Sequence, residues 1–310
     1  MKSENLNSFN TLSNLVGKGK NLVVQSTRMD FDTNTYISEL WKRSNGEWKK
    51  FKSGDSNFSN PKFGDKENTI FYIKTNRAVQ DKSKSKKTLS SIHMQAGRSV
   101  NKIFEIDGGI SNYSLSADGK FIYVTTSEWS EEFENIENKD SEPMYYENLP
   151  FRFDTRGIIY NKRGHVYKVN LGTNKFNKIV DGDKNQIISI GSLVESDKGI
   201  VFSYEKYNSK GTRLEEKVGS LETKKIKEIH SRGSMGNLFY YEGDLHAVGL
   251  KNRFDWPTNT SILKISRDGK VSFKDRTFDR NVVKAEVNNS VLYFLYEDSG
   301  KTLLRDGTNN

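Results

Sequence analysis

Bond-breaking chemistry needs a nucleophile, a base or metal ligands at a workable spacing, and few residues of this chain offer one. The four histidines, His93, His165, His230 and His246, form no i, i+4 pair and no clustered ligand pattern. His93, His165 and His246 fall in predicted strands, so packing or surface positions are expected for them. There is no cysteine, which excludes a thiol nucleophile, disulfides and cysteine-based metal sites. Gly233-Ser234-Met235-Gly236 lacks the G-x-S-x-G spacing of a nucleophile elbow, and the segment after it reads as a strand. Gly17-Lys18-Gly19-Lys20 lacks the spacing of a phosphate-binding loop and reads as a hairpin turn. Adjacent carboxylates occur at Glu131-Glu132 and Glu215-Glu216, and a solvated loop is the expectation for Glu131-Glu132. No catalytic residue, metal or cofactor is expected from these residues.

Binding chemistry is better represented. Residues 128–163 concentrate Trp129, Phe133, Tyr145, Tyr146, Phe151, Phe153 and Tyr160 beside Arg152 and Arg156. Aromatics with arginines are the composition of a binding hot spot. Tyr145, Tyr146, Phe151, Arg152, Phe153 and Arg156 are therefore expected on one rim or interface face. Arg152 and Arg156 would clamp a carboxylate bidentately, from a peptide terminus or from an acidic side chain of a partner domain. A second reading, a small satellite core under the loop, stays open at this point. Pro143 and Pro150 argue against a regular central strand here.

The chain has 310 residues and a net charge of +9, from 49 Lys and Arg against 40 Asp and Glu. The charges are interleaved along most of its length. One basic cluster, Lys82, Lys84, Lys86 and Lys87, has no interleaved aromatics for base stacking. An acidic block at residues 128–142 would repel phosphates. No nucleic-acid partner is expected. No apolar run approaches the roughly 20 residues of a membrane helix, so no membrane partner is expected. The first residues lack the apolar stretch of a signal peptide, which makes the cytoplasm the default location.

The elements that must position the aromatic segment follow from a repeat. Polar turns rich in Gly, Asp and Asn precede Leu22-Val23-Val24, Ile70–Ile73, Phe121–Val124, Ile200–Phe202, Leu245–Val248 and Val291–Leu295. The first apolar residues are offset by 48, 51, 79, 45 and 46 positions. Short β-branched and aromatic runs bounded by turn residues are strands. Further strands follow each run, among them Tyr36–Trp41, Leu89–Met94, His165–Asn170, Lys217–Leu221 and Ser261–Ile265. Four strands in roughly 45 residues is the blade of a β-propeller. It is favoured over a β-sandwich pair and over a β-helix, whose repeat is shorter. The expected fold is an all-β propeller of four-stranded antiparallel blades over residues 10–310, after an N-terminal segment 1–9. About six blades are visible, five complete and one partial. The long offset marks an insertion at 128–163 inside the third blade. The segment before Leu12 is the one weak helix candidate. Asp306-Gly307 reads as a turn into a fourth strand, which the N-terminus supplies to close a ring or which the chain lacks.

Ser116-Ala117-Asp118-Gly119-Lys120-Phe121-Ile122-Tyr123 resembles the "SPDGK-I-A-F" repeat of propellers in the prolyl oligopeptidase family and in TolB. Leu149-Pro150-Phe151-Arg152-Phe153-Asp154-Thr155-Arg156-Gly157, followed by His165-Val166-Tyr167-Lys168-Val169, resembles the "LPYR-D-G-G…HL-VV" segment of the acylaminoacyl peptidase branch. There too the segment sits in a long insertion in the third blade. That resemblance implies a non-catalytic propeller, usually seven-bladed, that gates access of short peptides to an α/β-hydrolase partner domain carrying a Ser, Asp, His triad. In the dipeptidyl peptidase branch adjacent propeller glutamates bind a substrate amino terminus, and the surroundings of Glu131-Glu132 do not match that motif. The alternative is a free-standing, TolB-like propeller that serves as a protein-interaction platform.

Overall fold

The computed structural model describes residues 10–32, 35–66, 68–77, 89–134, 145–153, 157–223, 225–252, 258–275, 277–288 and 290–307. They form the blades of an all-β propeller fold. The chain divides into two compact units, residues 1–124 with 168–177 and residues 125–167 with 178–310.

The first unit holds two complete blades. One comprises β1 (Thr11–Lys18), β2 (Asn21–Asp30), β3 (Thr35–Ser44) and β4 (Glu47–Lys52), paired in that order. The next comprises β5 (Ser56–Phe63), β6 (Thr69–Asn76), β7 (Leu89–Ala96) and β8 (Ser99–Asp107). The two-residue turn Asn45-Gly46 joins β3 to β4, with φ of 53° and 88°. Such positive angles are what a twisted hairpin needs and what Asn and Gly supply cheaply. Val23, Leu40, Phe58, Ile70 and Tyr72 bury together between the blades.

The third blade, through which the division between units runs, contains β9 (Gly109–Leu115), β10 (Phe121–Trp129), β13 (Lys162–Asn170) and β14 (Phe176–Val180). Between β10 and β13 lie the one-turn helix α1 (Glu131–Glu134) and the two-residue strands β11 (Arg152–Phe153) and β12 (Gly157–Ile158). A second short helix, α2 (Gly182–Asn185), follows β14.

The second unit continues with β15 (Ser189–Ser196), β16 (Gly199–Tyr207), β17 (Leu214–Glu222) and β18 (Lys225–His230) as one blade. β19 (Ser234–Tyr241), β20 (Asp244–Leu250), β21 (Ser261–Ile265) and β22 (Val271–Phe273) form another. The last sheet has three strands among the described residues, β23 (Asn281–Asn288), β24 (Val291–Asp298) and β25 (Lys301–Asp306). The cores of this unit are Val201, Val218, Leu238, Leu245 and Leu263 in one cluster and Phe239, Val248, Val282, Leu292 and Phe294 in the next.

Three features went beyond the apolar pattern. The first strands β1, β5 and β9 carry polar sequences, and the burial pattern of β1 is almost wholly exposed, so hydrophobicity did not mark them. Of the weak helix candidate, residues 1–9 lie outside the described residues, and the chain from Thr11 is strand. A bulge also recurs in the first strand of five blades, at Ser13/Val16, Ser59/Lys62, Ile190/Leu193, Gly236/Phe239 and Val282/Lys284. A bulge frees backbone groups from the ladder, and neighbouring blades use them. Leu238 N donates to Ser192 Oγ at 2.8 Å, and Ala285 N donates to Asn237 Oδ1 at 2.6 Å. Within the first unit, Asn60 N donates to Gln25 Oε1 at 3.1 Å. Pro61 sits in the β5 bulge, where no ladder donor is required.

Candidate functional site

The insertion is pinned at its base. Ser130 N donates to Asn161 O at 2.8 Å, and both residues are buried. Ser130 Oγ accepts from Phe133 N at 3.3 Å at the start of α1. Trp129 packs on Phe133 with ring centroids 4.7 Å apart, and Lys162 Nζ lies 5.5 Å from the Trp129 ring.

From Tyr145 the insertion runs against the hairpin that joins β16 to β17. Tyr146 stacks on Phe151 at 4.6 Å and meets Tyr160 edge-on at 5.4 Å, and Tyr160 meets Tyr207 at 6.3 Å. Tyr207 Oη donates to Pro150 O at 2.8 Å, and Leu149 N donates to Gly211 O at 2.7 Å. The Leu149–Pro150 peptide is cis. Ile159 N donates to Phe151 O at 2.9 Å, closing the short β11–β12 hairpin. Beneath it Ile159, Ile188 and Leu214 form a small core that Tyr207 caps.

The facing hairpin tip is rigidly built. Asn208 N donates to Arg213 O at 3.0 Å, and Gly211 N to Asn208 O at 2.9 Å. Asn208 Oδ1 accepts from Thr212 N at 2.8 Å. Gly211 adopts φ +65°, and a β-carbon there would stand 2.0 Å from Asn148 Oδ1, so glycine permits the close approach.

Between tip and insertion lies a cleft of about 1290 Å³, bordered by Asn148, Tyr160, Arg163, Lys206, Asn208 and Arg213 among others. Its walls carry both signs of charge. Arg213 Nη2 pairs with Glu215 Oε1 at 2.9 Å, and Lys217 Nζ pairs with Glu228 Oε2 at 2.7 Å. Arg163 Nη1 donates to the carbonyls of Tyr160 and Lys162 at 2.7 and 2.9 Å, which fixes it beside the aromatic cluster. The surface is polar and carries two tyrosines, Tyr160 and Tyr207.

Of the residues singled out in the sequence, Tyr145 is 83% exposed and Arg152 is exposed on β11. Tyr146 and Phe151 are half-buried in one stack. Phe153 lies in β11, while its side chain and Arg156 lie outside the described residues. Tyr146 and Phe151 thus support the insertion, and Tyr145 and Arg152 present themselves to solvent. Asn148, Arg163, Asn208 and Arg213 were missed as cleft residues. The signal that could have found the hairpin tip was the polar, glycine-containing run Asn208–Arg213 between two strands. The lysine cluster Lys82–Lys87 lies outside the described residues.

One further polar cluster lies at the root of the insertion. His165 is 1% exposed, and its Nδ1 accepts from Gly182 N at 3.0 Å. Asp181 and Asp183 complete a group whose ligand atoms lie within 4.8 Å of one another. The group does not fit a metal ion. An Nδ1 that accepts a backbone N–H leaves the proton of the neutral ring on Nε2, so neither nitrogen has a free lone pair. Burial holds the His165 pKa below the ordinary histidine value, against the opposing pull of Glu128. Tyr167 Oη donates to Glu128 Oε2 at 3.2 Å.

No known protein-family profile matches the chain, and no curated protein matches it either. Solved structures do. An acylaminoacyl peptidase in complex with Z-Gly-Gly-Phe-chloromethyl ketone matches with a TM-score of 0.71 and 15% identity, over 97% of this chain and 45% of that one. An acylaminoacyl peptidase from Pyrococcus horikoshii matches with a TM-score of 0.69 and 14% identity, over the same shares. The β-propeller domain of the Trilobed protease from Pyrococcus furiosus matches with a TM-score of 0.60 and 13% identity, over 97% of this chain and 84% of that domain. The β-propeller fold is thereby shown, and at these identities the likeness is one of fold. The chain spans less than half the length of the two acylaminoacyl peptidases. Among the described residues, no helix is long and apolar enough to cross a membrane.

Proposed function

We propose that this chain is the non-catalytic propeller of an acylaminoacyl-peptidase-like serine peptidase, and that it holds short peptides for an α/β-hydrolase partner domain. The observation that carries this reading is the fold likeness to an acylaminoacyl peptidase over 97% of the chain. The insertion adds support. It lies between the second and third strands of the third blade, docks on the β16–β17 hairpin, and leaves a polar cleft open beside it. Bond cleavage is assigned to the partner. The role of this chain is to select short or unstructured peptides through contacts with Tyr145, Arg152 and the cleft walls, with Tyr146 and Phe151 holding the insertion in place.

The test is a titration of the purified chain with a fluorescent N-acylated tripeptide, read by anisotropy. Saturable binding that weakens as the peptide is lengthened or folded supports the reading. A flat titration up to millimolar chain overturns it.

A further inference from the structure

Away from the insertion, a cavity of about 130 Å³ opens to solvent between β21 and the β23–β25 sheet. Its lining is largely apolar. Ile262, Val282, Leu292 and Phe294 are buried there, and Phe278 borders it from the link before β23. Backbone bonds hold the bordering elements apart. Lys274 N donates to Ile262 O at 3.0 Å, Val282 N to Thr260 O at 3.0 Å, and Gly307 N to Leu292 O at 2.6 Å. Phe278 is fixed edge-on against Phe294 and Tyr296, each with ring centroids 5.2 Å away. Protein cores keep few voids larger than a water molecule, because an unfilled lining forfeits its contacts. An apolar cavity of roughly 150 Å³ takes up a single benzene ring. The space here matches one six-membered ring, and edge-to-face contact with Phe278 and Phe294 favours an aromatic one.

The polar part of the lining sets the charge of the ligand. Lys274 and Arg305 border the cavity together with one carboxylate, Asp275. Two cations against one anion leave one positive charge to be balanced. Asp275 Oδ1 is engaged by its own turn, accepting from Thr277 N at 2.8 Å and Thr277 Oγ1 at 2.7 Å. Lys274 Nζ lies 4.4 Å from the Tyr241 ring centre and reaches Glu242 Oε2 only at 3.8 Å. Arg305 Cζ lies 5.2 Å from the Phe278 ring centre, so this guanidinium borders the apolar space directly. A guanidinium pairs with a carboxylate through two parallel hydrogen bonds. One ring and one carboxylate satisfy both halves of the lining.

We propose that this cavity binds a small aromatic monocarboxylate, its ring among Ile262, Val282, Leu292 and Phe278 and its carboxylate on Arg305. The test is methyl NMR of the whole chain titrated with benzoate, with benzyl alcohol (ring without charge) and with acetate (charge without ring). Benzoate should shift the Val282 and Leu292 methyl resonances saturably, with a dissociation constant of about 1 mM or tighter. It should bind roughly tenfold or more tighter than either competitor. Arg305→Gln should weaken benzoate about tenfold and leave benzyl alcohol unchanged, which shows the cavity intact. Absence of saturable benzoate binding overturns the proposal, as do shifts confined to methyls outside the cavity. Equal affinity for benzoate and benzyl alcohol in the unaltered chain also overturns it, and that comparison needs no variant to fold.

Discussion

Replacing Gly211 by alanine should detach the insertion from the blade that carries it. Gly211 sits at φ +65°, where a residue with a β-carbon costs about 1–2 kcal/mol. The new methyl would also stand 2.0 Å from Asn148 Oδ1. Rotation of the Asn148 side chain relieves that clash, so the backbone figure is the lower bound. The attachment being strained is small, consisting of Leu149 N to Gly211 O, Tyr207 Oη to Pro150 O, and the Ile159, Ile188 and Leu214 core. A loss of 1–2 kcal/mol therefore raises the open population of the insertion by a factor of about 5–30. Hydrogen exchange at single-residue resolution reads this directly. Leu149 and Ile159 amides should exchange faster in Gly211→Ala by that factor, while Leu263, fully buried in a different cluster, keeps its rate. Tyr207→Phe, which removes one hydrogen bond worth about 1 kcal/mol, should give a smaller rise at the same amides. Unchanged protection at Leu149 in Gly211→Ala would refute the docking described above.

Asn237→Ala removes the acceptor for Ala285 N and places alanine at φ +44°, so urea unfolding should show a loss of about 1–3 kcal/mol. An unchanged midpoint would mean the bulge contact is not structural. Burial depresses the His165 pKa in the folded chain, with Glu128, Asp181 and Asp183 opposing and Lys178 assisting. The unfolded chain therefore binds the extra proton first. The His165 contribution is fully present above the unfolded value of about 6.5 and is lost as pH falls through it towards the folded value. His165→Gln should flatten the thermal stability profile in that window, and an unaltered slope would exclude His165 as its source. Tyr145→Ala and Arg152→Ala should each weaken peptide binding by roughly 1–2 kcal/mol with little change in melting temperature. Cooperative unfolding at much lower temperature with binding intact would instead place both side chains in a structural role.

The blade repeat was legible because its middle strands are apolar on a regular spacing. Ser261–Ile265 coincides with β21, and Leu89–Met94 falls within two residues of β7. The first strands β1 and β5 were illegible because their exposed or polar residues carry no hydrophobic signal. What marks β5 is a bulge whose freed amide is bonded from the preceding blade, a long-range relation between Gln25 and Asn60 that no local pattern encodes. The insertion was visible as a break in spacing and as a knot of aromatics. Its division of labour was not. Tyr146 and Phe151 look like Tyr145 in sequence, and only the partners at Tyr160 and Tyr207, the latter some sixty residues away, turn them into support. The cleft wall from the β16–β17 hairpin depends on the same distant pairing.

The central claim is that this propeller selects short peptides and leaves cleavage to a partner. The most direct measurement combines, on one sample, anisotropy of a fluorescent N-acylated tripeptide with labelling by a fluorophosphonate probe. The account predicts saturable peptide binding that Arg152→Ala weakens, and no labelled serine anywhere in the chain. Specific labelling of a serine, or a peptide titration that stays flat to millimolar chain, would contradict it.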